Sequence, residues 1–468
     1  MNPSLPVPEL YPAPPAPPAA ASATPAAIAP PAPRTKRRRR LRGEPVFPVT
    51  WDPIRLSLAA LMLISIGRIH QQLPILAVFK PGILLTLVSM GLAVALPKAV
   101  RLKDLFKTWP VKRVAWIVGI AILMAPLGLN ASASLTFLME VYLPNIVFFA
   151  LLVIASRNAG DARFLIGSYV ASLAILVYLS LFVWGSRSFG GFERMASNIM
   201  YDANDLGTLF TAGLPLCLLF AQTSKGVARY FGYAVAAGGP ATIALSGSRG
   251  GFIALIVTGV GLLAMAPRIT WGRRFAIIGI AVAMMAAFAP EGYLAKMQTI
   301  INADEDYNLT SSTGRVEIWK RGLTNLAPRP LNGVGISNFL RAQWVNQQYT
   351  ESGAPVRAMS PHNTFLQIAV DLGVPAALIF LSILYGGTIG LIRIRNKLPA
   401  SWLRENATRR FIYIACSYLP VSFMGWAAGA FFVSHAYLPP FYILVAFFAG
   451  TLVLLKEERR KDRQLARG

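Results

Sequence analysis

The chain is 468 residues long, 55% hydrophobic and 14% charged, with a mean hydropathy of +0.52. Soluble domains carry about 25% charged residues, so this composition excludes an ordinary soluble enzyme and favours one membrane-embedded body. A formal charge of +25 leaves nucleic acid, anionic lipid and membrane orientation to be weighed.

Residues 1–43 are low-complexity, with twelve prolines in the first 33 positions, interleaved with alanine. Such a segment cannot bury a core and is expected as a disordered or polyproline tail. Its basic run, Arg34 to Arg42, has no interleaved aromatics and leads towards an apolar segment. That pattern orients a chain or touches anionic lipid, and it argues against nucleic acid. The apolar run that follows lacks a small-x-small cleavage site, so no cleavable signal peptide is expected.

Apolar stretches of membrane-spanning length then alternate with short polar links. They cover 54–69, 81–97, 114–130, 135–155, 164–184, 206–222, 230–247, 250–266, 275–290, 363–392, 411–431 and 437–455. With the N-terminus in the cytoplasm, the links 98–113, 157–163, 225–229, 268–274 and 393–410 and the C-terminal tail fall inside. All are rich in Lys and Arg, as cytoplasmic links are. This arrangement puts 33 of the 45 Lys and Arg inside, with nine of the 20 Asp and Glu. The +25 is therefore chiefly an orientation signal. The expected fold class is an all-α polytopic membrane protein of about 12 transmembrane helices, N-in and C-in, with one large ordered periplasmic loop between helices nine and ten. In chain order the divisions are the tail 1–43, helices one to nine in 44–290, the loop 291–362, helices ten to twelve in 363–455, and a basic cytoplasmic tail 456–468.

Within the long loop, Val316, Trp319, Leu323 and Leu326 recur at near-helical spacing, which predicts an ordered cap. A second polar outer loop spans 185–205. Cys217 and Cys416 lie in apolar runs, and no Cys/His set has zinc spacing. Neither a disulfide framework nor a metal site is expected.

Three outer segments carry residues suited to chemistry. Ser246-Gly-Ser-Arg249-Gly-Gly joins two apolar runs, and an ionisable residue at membrane depth is a functional hypothesis. Position alone leaves open whether Arg249 binds an anion or snorkels to headgroups. Thr313-Gly-Arg315-Val-Glu-Ile-Trp319 opens a helical segment. Arg315 suits bidentate phosphate recognition, or an ion pair with Asp304 or Asp306. Ser360-Pro361-His362-Asn363 reads as a helix start, with Ser360 as N-cap, Pro361 at the first helical position and His362 in the first turn. A helix N-terminus favours a neutral imidazole, which can act as a base. The alternative is an interfacial His making a cap contact. His70 and His435 have no flanking motif and read as interfacial or packing residues. Glu140 and Asp371 lie in apolar runs near the outer ends, as possible partners for Arg249 or Arg315.

Taken in order, these pieces resemble the bacterial O-antigen ligase/polymerase superfamily across residues 185–390. Arg194 followed by Asp202-Ala-Asn204-Asp205-Leu-Gly is similar to the family's outer-loop motif, with Ala203 where proline is common. Ser248-Arg249-Gly resembles its Ser-Arg-Gly segment. Arg315 and Trp319, then Gly333-Val-Gly335 and Phe339, resemble its loop signature, and His362-Asn363 with Leu372-Gly-Val-Pro375 its helix-ten signature.

The resemblance implies transfer of an undecaprenyl-diphosphate-linked glycan to an acceptor hydroxyl at the periplasmic face of the inner membrane, without cofactor or metal. It implies Arg249, Arg315 and His362 as catalytic residues, the arginines on the diphosphate and His362 beside the acceptor. It implies Arg194, Asn204, Asp205, Ser248, Trp319 and Asn363 as substrate-binding residues. The implied partners are the lipid-linked donor, a glycan or lipid A-core acceptor, membrane lipid and other polysaccharide-assembly proteins. The polymerase or exopolysaccharide branch is favoured over the ligase by the Arg194 and Asn204-Asp-Leu-Gly loop. The rival readings are a secondary transporter of a small anion and a non-catalytic polysaccharide-assembly protein. The first would show an internal repeat with broken helices in both halves, and none is found.

Overall fold

The computed structural model describes residues 52–466 except 185, 190–191, 196–200, 266–269, 303–310, 312–313 and 346–356. The expected tail 1–43 and the acidic run Asp304 to Asp306 lie outside the described residues. Residues 46–468 form one unit.

Each apolar stretch is helical. In chain order they are α1 (Pro53–Ser65), α2 (Pro81–Ala95), α3 (Trp109–Met124), α4 (Ala131–Ala155), α5 (Ala159–Val183), α6 (Ala203–Thr223), α7 (Gly226–Ser246), α8 (Arg249–Met265) and α9 (Trp271–Phe288). The long loop adds α10 (Tyr293–Gln298), α11 (Arg315–Leu326) and α12 (Phe339–Val345). Then come α13 (Thr364–Tyr385), α14 (Ala407–Ala430) and α15 (Pro439–Leu465). By length and apolarity, 7 helical segments among the described residues can cross a membrane: α3 with its extension to Leu127, α4, α5, α6, α13 extended to Asn396, α14 and α15. An eighth exists if α2 and the following 97–107 segment form one span, bent by 101°. The chain is thus a multi-pass membrane protein. α1 and α8 are apolar but shorter.

One element departs from the all-α expectation. The outer loop forms an antiparallel hairpin of β1 (Ser186–Phe189) and β2 (Phe192–Met195), with Ser186 opposite Met195 and Phe189 opposite Phe192. Its sequence signal is the Gly-Gly pair between two short runs, a two-residue hairpin connection.

The centre of the bundle is α6, which packs on α7, α8 and α14. Small residues make this contact close. A Cβ on Gly207 of α6 would stand 2.6 Å from the Gly251 Cα of α8. The hydroxyls that line the seam are satisfied: Thr258 donates to the Thr211 carbonyl at 3.3 Å, and Thr211 to that of Gly425 at 3.3 Å. α15 is buried from Pro439 to Leu455, with Phe441 stacked on Phe380 of α13 at 4.3 Å between centroids. α2, α3 and α9 instead turn large apolar side chains outward, among them Leu87, Trp116 and Phe275. Contiguous exposed apolar faces of this kind are what lipid covers.

The tenth apolar stretch is expected as one helix, but α13 is broken at Gly373, where φ is +82°. The reason lies two residues on. Pro375 has no N–H, so the Asp371 carbonyl has no helical donor. The long loop supplies the missing groups: Val334 N donates to the Val370 carbonyl at 2.8 Å and Gly335 N to that of Asp371 at 2.9 Å. In return Val374 N donates to the Pro330 carbonyl at 2.8 Å. A Cβ on Gly373 would strike the Leu331 carbonyl. Ile318, Val334, Phe339, Ala342 and Val370 form a small core beneath this stitch. The motifs at Gly333 and Leu372 therefore anchor the loop to α13.

Charges at the other end of the bundle pair among themselves. Arg55 meets Asp161 at 2.6 Å and Asp52 at 3.3 Å, while Arg157 meets Asp52 at 3.2 Å and Asp161 at 3.1 Å. Arg409 meets Glu405, Glu458 and Asp462.

Candidate active site

α7 ends at Gly247, whose φ of +59° makes the left-handed stop that glycine supplies without strain. Ser248 then caps α8: its Oγ accepts from Gly251 N at 2.9 Å. The same hydroxyl donates to Asn204 Oδ1 at 2.7 Å and so fixes the start of α8 to the start of α6. Arg249 is the first residue of α8, at a helix N-terminus that favours anions. Its Nη1 donates to the Thr299 hydroxyl at 2.6 Å, just beyond α10.

Phe432, in the turn between α14 and α15, is where distant segments meet. A Cβ on Gly250 would stand 2.7 Å from its ring. The Arg315 guanidinium lies 5.3 Å from the centroid of that ring, from the first residue of α11. The Arg249 and Arg315 segments, far apart in sequence, thus share one aromatic platform.

His362 differs from the sequence expectation. The N-cap of α13 is Asn363, not Ser360, and its side chain accepts from Phe365 N and Leu366 N, each at 3.0 Å. An Asn at this position caps two orphan N–H groups at once, and it starts the helix after His362 rather than before it. His362 therefore lies outside the helix, with a φ of +42° that a non-glycine residue rarely adopts. Its Nε2 lies 3.0 Å from Ser360 Oγ. Trp319 holds the turn: its indole N–H donates to the Pro361 carbonyl at 2.9 Å. Burial lowers the His362 pKa below its ordinary 6.5, and the Arg315 charge lowers it further, against the opposing pull of Asp202 and Asp205. The neutral ring expected from a helix dipole has another cause here, burial and a neighbouring guanidinium.

The start of α6 completes the cluster. Asp202 and Asp205 form a capping box: Asp202 Oδ1 accepts from Asn204 N at 2.7 Å and Asp205 N at 2.8 Å, and Asp205 Oδ2 accepts from Asp202 N at 3.0 Å. The other Asp205 oxygen lies 2.8 Å from Nε2 of His435, which is 3% exposed. His435 N donates to the Thr364 hydroxyl at 3.0 Å, and that hydroxyl donates to the Val433 carbonyl at 2.8 Å. His435, read from sequence as a packing residue, is thus a buried partner of Asp205 two residues from the His362 turn. Sequence reasoning had one signal for it, the scarcity of histidine: 3 in the chain.

Not every candidate joins this cluster. β2 contains Arg194 and contacts α7 and α10, but the Arg194 side chain lies outside the described residues. Trp319 and Asn363 spend their described hydrogen bonds on backbone and so position the His362 turn. Asp371 sits at the break in α13, where its carboxylate accepts from Ser337 N at 3.2 Å, and Glu140 is exposed on α4. Neither stands as the arginine partner weighed from sequence. His70 lies in a short helix, Ile69–Gln72, after α1. Among the described residues no group of three or more His, Cys, Asp or Glu is placed to hold a metal ion.

Beside the cluster, α7, α8 and α9 enclose an almost entirely apolar cavity of about 580 Å³. Phe252, one turn past Arg249, and Met285 line one end, and Leu263 and Ile277 the other. From Phe252 to Leu263 a helix rises about 16 Å, so the cavity is a long groove rather than a pit.

Residues 232–381 match the family model described as O-antigen ligase. A search of curated proteins finds no match. The matched stretch runs from within α7 through Arg249, Arg315 and His362 into α13, and leaves Asp205 and His435 outside it. The family implies a glycosyltransferase-like enzyme with glycan and lipid-linked substrates. The match covers residues 232–381 of the 468, and it supports membership of the O-antigen ligase/polymerase superfamily.

Proposed function

We propose that the protein moves a glycan from undecaprenyl diphosphate to an acceptor hydroxyl at the periplasmic face of the inner membrane. In this reading all twelve apolar helices cross, both termini face the cytoplasm, and the loop 291–362 caps the site from the periplasm. The basic links support that orientation. The single observation that carries the function is the meeting of Gly250, beside Arg249, and Arg315 at Phe432, with Arg315 near enough to His362 for its charge to act on the imidazole.

The reaction forms a bond from the acceptor oxygen to the anomeric carbon and breaks the bond from that carbon to the diphosphate. Negative charge grows on the leaving phosphate oxygens. Arg249, at the N-terminus of α8, and Arg315 are the groups to stabilise it. The acceptor proton passes to His362, kept neutral by burial and by Arg315. In the tautomer whose Nε2–H donates to Ser360, Nδ1 carries the lone pair that takes the proton. Asp202 and Asp205 then stabilise the imidazolium. The groove beside Arg249 is suited to the polyprenyl chain, with the diphosphate at its Phe252 end. Asn204, Ser248, Trp319, Asn363 and Arg194 hold this frame or the sugars.

Within the family, the resemblance of the Arg194 and Asn204-Asp-Leu-Gly loop favours a polymerase or exopolysaccharide role over a ligase. Loss of a polymerase leaves single lipid-linked repeats, whereas loss of a ligase leaves long polymer on the lipid. Gel analysis of the deletion strain separates the two. Unchanged long-chain polysaccharide from a normally inserted His362→Ala protein would sink the whole reading.

A further inference from the structure

At the cytoplasmic end, 97–107 turns away from α2 by 101° and packs beside the last turns of α15. Where α2 crosses the bilayer, a segment bent by that angle runs along the membrane plane. Its side chains suit an interface: Leu102 is 68% and Phe106 56% exposed, and Lys98, Lys103 and Lys107 are exposed as well. Between this segment and α15 lies a pocket of about 740 Å³, open on one side. Arg101, Lys103, Lys107, Lys456 and Arg460 line it, against two carboxylates, Asp104 and Glu457.

Both carboxylates are engaged from within the pocket. Arg101 pairs with Glu457 and stands 3.6 Å from Asp104, which also pairs with Lys107. Lys456 Nζ donates to the Lys107 carbonyl at 2.8 Å and closes the pocket floor. The lining is therefore basic in excess, beside exposed apolar side chains. A free anion has no use for Leu102 and Phe106, and a neutral lipid has no use for five cations. We propose that this pocket binds the headgroup of an anionic phospholipid of the cytoplasmic leaflet, its acyl chains lying along the exposed apolar face of α2. It rests on the orientation proposed above but not on the glycan transfer.

The test uses the full purified chain in neutral detergent and reads lipid adducts by native mass spectrometry. Added dioleoylphosphatidylglycerol should bind about tenfold more tightly than dioleoylphosphatidylcholine, and binding should weaken as salt rises. Lys103→Gln/Lys456→Gln/Arg460→Gln should remove that preference. Lys225→Gln/Arg229→Gln, on another exposed basic link, should keep it. Inorganic phosphate should not displace the lipid. Equal binding of the two lipids, or a preference that survives the triple substitution, overturns the proposal. Displacement by phosphate also overturns it, since the pocket would then hold a free anion. A folding failure of the triple variant is bypassed with Lys103→Glu alone, on an exposed side chain, which must at least halve the preference.

Discussion

The two ends of the bundle use charge in opposite ways. At the end that the proposed topology puts in the cytoplasm, Arg55, Arg157 and Arg409 stand on or beside the first turns of helices and interleave with carboxylates of neighbouring helices. At the outer end the polar groups sit in turns: Asp202 to Asp205 before and at the start of α6, Ser248 and Arg249 between α7 and α8, His362 before α13, and Phe432 to His435 after α14. The backbone shows the same contrast. Among the described residues, the four non-glycine residues with positive φ, Arg68, Lys80, Ser337 and His362, all fall in outer links of the proposed topology. Strained backbone persists only where its surroundings over-determine it, and it gathers at functional sites. One end therefore holds helices together, and the other holds a constellation in place.

The sharpest way to break this contrast is to remove one charge from each end. His362→Ala and Arg315→Ala should each lower glycan transfer by about 10³-fold, near 4 kcal/mol, with little change in melting temperature. Transfer measured with a lipid-linked glycan in detergent checks the first effect, and thermal unfolding the second. Arg55→Ala should do the reverse. It leaves Asp161, 3% exposed, facing one arginine instead of two, at a cost of about 3 kcal/mol in stability. Transfer per folded molecule should stay within about twofold. A large loss of melting temperature in His362→Ala would collapse the distinction.

A finer test asks whether the Asp205 and His435 pair belongs to the constellation or merely to the packing. A double-mutant cycle of Asp205→Asn and His435→Gln should give a coupling of about 1–3 kcal/mol in transfer, because the two groups share one hydrogen bond. Coupling seen only in stability, with none in transfer, assigns the pair to packing.

The fold was readable where one physical rule dominates. Every apolar stretch became a helix because a 20-residue run has few other ways to bury its backbone groups. The break in α13 was legible in Pro375 but not foreseen, since the carbonyls it frees are satisfied from a loop 36 residues away, at Val334 and Gly335. The His362 turn was misjudged by the same kind of competition. Ser360-Pro361 is a good helix start, yet Asn363 caps two N–H groups and wins. Arg249 and Arg315 were legible as residue types suited to diphosphate. That Gly250 beside Arg249 and the Arg315 guanidinium both meet Phe432 was not, because an aromatic ring in a short link carries no local signal. His435 was missed for the same reason: its role depends on Asp205, 230 positions away.

The smallest effect discriminates most finely, because it reads the local field at His362. Burial and Arg315 hold its pKa below 6.5 in the folded protein, and in the proposed mechanism the active form is the neutral one. Transfer should therefore be flat above pH 6.5 and fall on an acidic limb below it. Stability should move the same way, since an unfolded chain takes up the proton at higher pH than the folded one. The Asp202 charge raises the pKa, so Asp202→Asn should lower it further and move the limb towards acid. Asn is an equally good N-cap, so α6 should keep its start, and the transfer rate at pH 7.5 should fall only modestly, by the lost stabilisation of the imidazolium. Arg315→Gln removes a lowering charge, and the limb of its residual activity should move the other way, towards 6.5. Opposite displacements of one limb by two substitutions identify the titrating group as the imidazole between them. A limb that stays fixed in both variants assigns the titration to another group and removes His362 from the role of base.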